Sequence, residues 1–370
     1  MLLSNNNNTD TKHAIILGTR PEIIKFSPLI REFEKRNINY ILIHTGQHYS
    51  YEMDKVFFEE LELPEPNYKL DTGLKSKTHA EQTGYMLIEI EKILIKERPK
   101  NIIVLGDTNT TLAGALAARK LNFIKITHIE AGLRSFNWEM PEEINRIIVD
   151  HISDILLAPT EIAKQNLIRE GIQENKIYVV GNIIVDAVKQ NLEIAKRKSN
   201  ILKELGLKKE KYFLLTLHRS ENVDHKDRLE NILKGIKLIK DNFPEYDIIF
   251  PIHPRTKRRI EEFNLKEYLN NIRLIDPVGY LDFLMLEANA SLILTDSGGV
   301  QEEACILRVP TVTLRTETER PETVEIGANI VSGRDPNNIL KSTEIMMKSN
   351  RRWINPYGEN VTEKILKIIC

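Results

Sequence analysis

The sequence predicts an α/β protein of two domains, each built around a parallel β-sheet. Short apolar runs alternate with longer amphipathic segments along almost the whole chain of 370 residues. This alternation is typical of parallel strands joined by right-handed helical crossovers. About a dozen strands are more than one doubly wound sheet usually contains, and the chain length also favours two domains. Two such domains facing each other would form a cleft beyond the carboxyl ends of their strands, where ligands of open α/β sheets bind.

Each element is predicted from its residue pattern. Runs rich in Ile, Val, Leu and Phe predict strands at residues 13–17, 39–44, 101–105, 124–129, 154–157, 176–180, 211–217, 247–252, 272–275, 291–295, 310–314 and 328–331. Between them, apolar residues recur near a 3.6-residue period. This pattern predicts helices that include 22–36, 80–98, 225–242 and 335–349.

The domain boundaries follow from the same alternation. Residues 1–11 are rich in asparagine and lack the basic and apolar regions of a signal peptide, so we predict a disordered tail. We expect the first domain to span 12–182 and the second 183–354. The charged stretch 195–211 is interpreted as a solvated linker and helix surface. A final helix within 355–370 would pack back on the first domain.

The composition excludes several classes of partner. The 52 Lys and Arg residues balance the 53 Asp and Glu residues, so there is no overall attraction to nucleic acid or to an anionic membrane. Two cysteines cannot form a disulfide framework, and no Cys/His cluster has zinc-binding spacing. No apolar run approaches the ~20 residues that a membrane-spanning helix needs. We therefore expect a cytoplasmic protein without a metal.

The most informative motif follows the strand at 291–295 and reads Asp-Ser-Gly-Gly-Val-Gln-Glu-Glu. Ser297, Gly298 and Gly299 would place a hydroxyl and unobstructed backbone N–H groups at a helix start, which suits a phosphate. Glu303, about one turn further, could accept hydrogen bonds from two ribose hydroxyls. The motif predicts a nucleoside diphosphate site. The alternative is an ordinary Asp-Ser helix cap followed by a glycine turn.

Two cations follow the first strand, in Gly-Thr-Arg-Pro-Glu-Ile-Ile-Lys. Arg20 lies at the strand end and Lys25 lies further along the next helix, an arrangement that suits an anionic ligand. The alternative for Arg20 is a simple ion pair with Glu22.

Acidic residues follow strands or precede a helix at three places in the first half. Asp107 follows the strand at 101–105, Glu130 follows the strand at 124–129, and Glu142 comes just after a proline. Helix capping could explain Asp107, and a favourable helix dipole could explain Glu142. Three such positions exceed what capping requires, so we interpret them as catalytic carboxylates.

Strand ends in the second half add further candidates. His218 ends the strand at 211–217 and could contact phosphate, although a histidine bonded to backbone is the alternative. At His253, the following proline makes a rigid turn the better explanation. Arg320 lies in the loop after the strand at 310–314, and this loop could fold back so that Arg320 contacts the ligand.

Absent motifs narrow the function further. The sequence has no Gly-x-Gly-x-x-Gly fingerprint, no P-loop and no Gly-x-Ser-x-Gly elbow. These absences argue against a dinucleotide oxidoreductase, a P-loop NTPase and a serine hydrolase. It also has no Asp-x-Asp pair that would hold a metal against a diphosphate, so diphosphate binding needs no metal.

Six motifs in this order resemble the non-hydrolysing UDP-N-acetylglucosamine 2-epimerases. They are Gly18-Thr-Arg-Pro-Glu22, Gly106-Asp-Thr-Asn-Thr110, His128-Ile-Glu-Ala-Gly-Leu-Arg134, Pro141-Glu-Glu-Ile-Asn-Arg146, Asp296-Ser-Gly-Gly-Val-Gln-Glu-Glu303 and Thr318-Glu-Arg-Pro-Glu322. The resemblance runs from about residue 13 to the end of the chain.

The resemblance implies two Rossmann-like domains facing across a cleft, the GT-B architecture, in a homodimer. It implies interconversion of UDP-N-acetylglucosamine (UDP-GlcNAc) and UDP-N-acetylmannosamine (UDP-ManNAc) without a metal or redox cofactor. The catalytic residues it assigns are Asp107, Glu130, Glu142 and His218. The substrate-binding residues it assigns are Arg20, Lys25, Arg146, Phe283 near the uracil, Ser297, Gly298, Gly299, Glu303 and Arg320. Gln47 and His48 lie where some family members bind an activating UDP-GlcNAc, although a glycine turn also explains that stretch.

Three other functions remain compatible with these motifs. A hydrolysing epimerase would release UDP and free N-acetylmannosamine, but the Pro-Glu pair after Arg20 resembles the non-hydrolysing group. A GT-B glycosyltransferase would need an acceptor and normally uses fewer carboxylates. A non-catalytic nucleotide-sugar sensor would bind the ligand without turning it over.

Overall fold

The protein is described from a computed structural model, which covers residues 12–47 and 51–370. Contacts between Cα atoms divide the chain into two compact units. The first unit contains the described residues up to 187 together with 357–370, and the second contains 188–356. The predicted tail at 1–11 lies outside the described residues, and so does His48.

Each unit contains one sheet in which all strands are parallel. The strands of the first unit are β1 (His13–Leu17), β2 (Tyr40–His44), β3 (Tyr68–Lys69), β4 (Asn101–Leu105), β5 (Lys125–Ile129), β6 (Ile155–Ala158) and β7 (Ile177–Val179). The strands of the second unit are β8 (Tyr212–Thr216), β9 (Asp247–Pro251), β10 (Arg273–Ile275), β11 (Leu292–Thr295), β12 (Thr311–Thr313) and β13 (Asn329–Val331).

Helices connect successive strands. In chain order they are α1 (Arg20–Lys35), α2 (Tyr51–Glu60), α3 (His79–Glu97), α4 (Asn109–Arg119), α5 (Pro141–Ile152), α6 (Glu161–Arg169), α7 (Ile184–Lys198), α8 (Ile201–Glu204), α9 (Ser220–Val223), α10 (Lys226–Asn242), α11 (Pro254–Glu262), α12 (Tyr280–Asn289), α13 (Gly298–Leu307), α14 (Pro321–Glu325), α15 (Pro336–Met347) and α16 (Val361–Ile369). Short 3₁₀ helices lie at Thr72–Lys75, Glu174–Lys176 and Lys266–Leu269.

The first six strands of each unit have the same order, and the first unit adds a seventh strand. The sheets run β3-β2-β1-β4-β5-β6-β7 and β10-β9-β8-β11-β12-β13. In each unit the order reverses beside the first strand, between β1 and β4 and between β8 and β11. A doubly wound sheet binds its ligand beyond the carboxyl ends of the strands at this reversal. The loops after these four strands are therefore where each unit is expected to hold a ligand.

The second unit shows how helices cover both faces of a sheet. Phe213 and Leu215 of β8 pack in one hydrophobic cluster with residues of α10 and α15. Tyr212 and Leu214, which point to the opposite face, pack in another cluster with residues of α12 and α13. Burial on both faces explains why the strands read as continuous apolar runs rather than as alternating ones.

The α/β prediction of two parallel-sheet domains is confirmed. Each of the twelve predicted strands overlaps an observed strand, but the two-residue strand β3 was missed. A pair of residues, Tyr68 and Lys69, is too short to show a period. Helix α16 returns to the first unit, where the backbone N–H of Thr362 donates to Asp186 at 2.6 Å.

Within residues 12–47 and 51–370, no helix combines the length and the apolar character that a membrane span needs.

Candidate active site

The turn between β1 and α1 is held by a buried carboxylate. Glu22 accepts hydrogen bonds from the backbone N–H groups of Gly18 and Thr19, each at 2.9 Å. It also accepts one from the hydroxyl of Thr108 at 2.8 Å, which ties α1 to the loop after β4. Burial raises the pKa of Glu22 although these hydrogen bonds oppose the shift. Glu22 is thus a capping residue, and the alternative prediction that it pairs with Arg20 is wrong.

Arg20 is paired with a different carboxylate. Its Nε lies 3.0 Å from Oδ1 of Asp54, a residue with no exposed side-chain surface. The guanidinium lies 4.9 Å from the centre of the Phe57 ring. His44 contacts the other oxygen of Asp54, with Nε2 to Oδ2 at 3.3 Å. These contacts orient a cation that is still 35% exposed at the reversal of strand order.

Lys25 and Glu130 form an ion pair beside the same strand ends. The Lys25 Nζ lies 2.6 Å from Oε1 of Glu130, and both side chains are largely buried. Glu130 has a φ of +69°, which is unusual for a residue other than glycine. The backbone N–H groups of Glu130 and Ala131 both donate to the carbonyl of Leu157. Strained residues of this kind are frequent at functional sites.

Asp107 does not cap α4. The cap is Thr108, whose hydroxyl accepts from the backbone N–H of Thr111 at 3.2 Å, so the capping alternative for Asp107 is wrong. Instead the Asp107 carboxylate pairs with Arg146, with Oδ2 to Nη2 at 2.5 Å. Asn145 donates to the Asp107 backbone carbonyl at 2.9 Å. Two residues of α5 thus fix Asp107 while leaving its side chain 30% exposed.

The two acidic residues at the start of α5 have different surroundings. Glu143 is buried and accepts hydrogen bonds from the backbone N–H groups of Ser135 and Phe136 and from Arg146. Burial acts to raise the pKa of Glu143, but these hydrogen bonds outweigh it and lower the pKa. Glu142 is half-buried and makes no hydrogen bond or ion pair within the described part of the chain. Glu143 therefore has a structural role, whereas the Glu142 carboxylate has no bonded partner among the described residues.

Gln47 forms hydrogen bonds within the first unit through both its side chain and its backbone. Its Oε1 accepts from both the backbone N–H and the hydroxyl of Thr110, each at 2.9 Å. Its backbone carbonyl accepts from Gln82 at 2.7 Å. Its proposed neighbour His48 is not described, so the activator site stays a prediction.

In the second unit, Asp296 joins the two strands at the reversal of order. Its carboxylate accepts from the backbone N–H groups of His218 and Arg219 at 3.1 and 2.9 Å, and from Nδ2 of Asn222 at 3.2 Å. Asp296 is fully buried. The sequence pattern indicates only a possible helix cap at this residue, and its role in joining the two strands was not predicted. An aspartate directly after an apolar strand was the signal available.

The start of α13 is open. Ser297 is the N-cap residue, but its side chain makes no capping hydrogen bond, so the ordinary Asp-Ser cap is not what forms here. A Cβ at position 298 would lie 3.8 Å from Nη2 of Arg219 and 3.8 Å from Oε2 of Glu319. The N–H groups of Gly298 and Gly299 lie in the first turn of α13, where an anion could accept from them, and both a guanidinium and a carboxylate lie nearby.

His218 and Phe283 line one pocket. It has a volume of about 190 Å³ and is lined by Thr216, Leu217, His218, Pro251, His253, Pro277, Val278, Phe283 and Val300. Burial lowers the pKa of His218, the Asp296 carboxylate opposes this, and the charges of Arg219 and His253 lower the pKa further. The His218 ring is 40% exposed, with Nδ1 3.4 Å from Oδ1 of Asp296. Only its backbone is tightly bonded, so the imidazole is accessible.

Glu303 and Arg320 both lie close to α13. The Tyr280 hydroxyl donates to Oε1 of Glu303 at 3.1 Å, and Glu303 is 9% exposed. Arg320 pairs with Glu302 of the same helix, with Nε to Oε1 at 2.7 Å. The loop before α14 thus brings Arg320 to helix α13.

No group of three or more His, Cys, Asp or Glu side chains within residues 12–47 and 51–370 is arranged to hold a metal ion.

Comparison with known proteins identifies the family. Residues 31–370 match the family profile described as UDP-N-acetylglucosamine 2-epimerase. The chain is 60% identical over 364 residues to the UDP-N-acetylglucosamine 2-epimerase of Methanocaldococcus jannaschii, covering 97% of this chain and 98% of that protein. It is 57% identical over 360 residues to the enzyme of the same name from Methanococcus maripaludis, covering 96% and 97%.

Solved structures agree with this comparison. The structure of the M. jannaschii enzyme superposes with a TM-score of 0.87 over 96% of this chain and 99% of that one. The structure of the same enzyme in complex with UDP-GlcNAc and UDP gives a TM-score of 0.84 over the same shares. With these identities over nearly the whole length, the chain belongs to the UDP-N-acetylglucosamine 2-epimerase family.

Proposed function

We propose that this protein interconverts UDP-GlcNAc and UDP-ManNAc by inverting carbon C2 of the sugar. The observation that carries the proposal is the 60% identity over nearly the full length to an epimerase of that name. The open start of α13 at the reversal of strand order supports it, because this is where a diphosphate would bind.

The reaction needs an indirect route because the hydrogen on C2 is not adjacent to a carbonyl group. The bond from C1 to the UDP oxygen breaks, and UDP leaves with the bonding electrons. C2 loses its proton to a base, and that electron pair forms the C1–C2 double bond of a 2-acetamidoglucal. A proton is then added to the opposite face of C2, and a UDP oxygen re-forms the bond to C1. No net oxidation or reduction occurs.

The first unit supplies the groups for proton transfer. We assign this role to Asp107, Glu130 and Glu142, since a positioned acid or base contributes about 10²–10⁴-fold. Arg20 and Lys25 would stabilise the negative charge that develops on UDP as it leaves. Asp54 holds Arg20 in place for this purpose.

The second unit supplies the groups for UDP. We assign the diphosphate to Ser297 and the N–H groups of Gly298 and Gly299, with Arg320 tied to the same helix. Glu303 would accept hydrogen bonds from the ribose hydroxyls. His218 and Phe283 line the same pocket. The Phe283 ring would therefore contact the uracil close to the point where the His218 imidazole contacts a phosphate.

The proposal is tested with UDP-GlcNAc in D₂O. We expect deuterium at C2 of both recovered nucleotide sugars, measured by NMR, because the proton taken from C2 exchanges with solvent before it returns. Full retention of hydrogen at C2 would refute the proposal. Free UDP formed in step with N-acetylmannosamine would identify the hydrolysing reaction instead.

We also propose that the protein forms a homodimer through helices α3 and α5. Exposed apolar side chains on these helices include Tyr85, Ile88, Ile144 and Ile148. A groove of about 350 Å³ lies between α3, α4 and α5, and Ile144 lines it. Several exposed apolar side chains beside such a groove are typical of a protein interface.

A charge placed in this surface should dissociate the dimer. We expect Ile88→Glu and Ile148→Glu to convert the protein to a monomer in light scattering after size exclusion, because an ionised carboxylate is costly to bury. The matched control is Ile162→Glu, on the exposed surface of α6, which should stay dimeric. A parent protein that is monomeric at micromolar concentration would refute the dimer.

The proposed location is the cytoplasm. Cys305 and Cys370 form no disulfide bond within the described residues, and burial is the main reason that the pKa of Cys305 is raised to about 12. Cysteines that are not joined in disulfides are typical of reducing compartments.

A further inference from the structure

Glu303 has a second carboxyl group as its neighbour. Glu287 of α12 has no exposed surface, and the described part of the chain contains no cation paired with it. A fully buried carboxylate without a cation is costly, so a charged Glu287 beside a charged Glu303 is not a stable arrangement. One of the two must carry a proton.

The deeper burial of Glu287 favours protonation of this residue over Glu303. Burial raises its pKa well above the usual range, and the charge of Glu303 and a hydrogen bond between the two groups raise it further. Glu303 is less buried than Glu287 and accepts a hydrogen bond from the Tyr280 hydroxyl at 3.1 Å. Such a bond favours the ionised form of Glu303.

The other groups around the pair do not supply a competing charge. The titratable groups that face Glu287 are Glu303 from α13, Tyr280 from its own helix, and Tyr212 from β8. Burial is the main cause that raises the pKa of Tyr212, and its hydroxyl donates to the backbone carbonyl of Leu286 at 2.6 Å. Both tyrosines therefore stay neutral.

We propose that Glu287 is a positioning residue of the nucleotide site, which donates a hydrogen bond from its buried carboxylic acid to the Glu303 carboxylate. With Tyr280 as the second donor, Glu303 is fixed from two sides as a charged acceptor for the two ribose hydroxyls. The inference rests on the proposed role of Glu303 and deepens it. It predicts that selectivity for the ribose depends on a residue that does not touch the ligand.

The test compares binding of UDP and 2′-deoxy-UDP by calorimetry in two variants of Glu287. In Glu287→Gln the amide N–H₂ can still donate to Glu303, so both affinities should stay close to the parent. In Glu287→Met the donor is lost, so we expect UDP to bind about 10- to 100-fold more weakly. Binding of 2′-deoxy-UDP should weaken less, so the preference for UDP over 2′-deoxy-UDP should shrink.

Two further measurements separate this role from a merely structural one. In the parent, UDP affinity should fall at alkaline pH as Glu287 ionises. In Glu287→Gln the side chain cannot ionise, so UDP affinity should fall less over the same pH range. In Glu303→Gln the preference for the ribose should also shrink, because this variant changes the acceptor itself.

The outcomes distinguish the inference from the proposed function. A parent protein that does not bind UDP would overturn both. If UDP binds and Glu303→Gln reduces the ribose preference while Glu287→Met keeps the parent preference, the inference alone is overturned. The inference would also be overturned if UDP affinity fell equally at alkaline pH in the parent and in Glu287→Gln.

Discussion

Replacement of Asp107 by asparagine is expected to lower kcat for epimerisation by about 10²–10⁴-fold, with little change in the Kd for UDP. An amide keeps the size of the side chain and can still accept from Arg146, but it cannot take or return a proton. Because Thr108 and not Asp107 caps α4, the substitution should leave the helix intact. Steady-state turnover, deuterium uptake at C2 and calorimetry with UDP measure these effects.

Asp154→Asn is the matched control. Asp154 is 31% exposed and its Oδ2 lies 2.8 Å from Nη2 of Arg119, so it resembles Asp107 in exposure and in its arginine partner. It lies outside the proposed site and should turn over at nearly the parent rate. An Asp107→Asn variant as active as this control would contradict the catalytic assignment.

The second large effect is expected from Asp296→Asn, which should raise the Kd for UDP by about 10- to 100-fold. The carboxylate accepts from the backbone N–H groups of His218 and Arg219 and from Asn222. An amide in its place would turn N–H groups toward these donors and leave a buried donor without an acceptor. The turn after β8 would then lose its position beside α13. Calorimetry with UDP measures the loss.

Asp335→Asn provides the comparison in the same unit. Asp335 caps α15 on the surface, where Oδ1 accepts from the backbone N–H of Asn338 at 2.9 Å. Asparagine is also a good N-cap residue, so this variant should keep the parent stability and UDP affinity. Equal UDP affinities for the Asp296 and Asp335 variants would contradict the role of Asp296.

Most of the fold could be predicted from local pattern. Strands such as β1, β4 and β11 are apolar runs buried on both faces, and long helices such as α3 and α10 repeat apolar residues at helical spacing. Their order along the chain then allows few topologies. β3 was missed because its two residues join the sheet only through pairing with β2, which is a tertiary contact.

The partners of the candidate site residues could not be predicted in the same way. Arg20 pairs with Asp54, which is 34 residues away, and not with nearby Glu22. Asp107 pairs with Arg146, which is 39 residues away. In each case the sequence suggested a local partner, whereas the fold supplied a distant one from a neighbouring helix.

The class of fold, the family and the positions where polar side chains follow strands could be predicted from the amino-acid pattern. These features depend on local periodicity and on short motifs, which a chain carries before it folds. The folded chain was needed to separate structural carboxylates, such as Glu22, Glu143 and Asp296, from accessible ones, such as Asp107 and Glu142. Burial and hydrogen-bond partners set the role of a carboxylate, and both arise where segments distant in sequence meet.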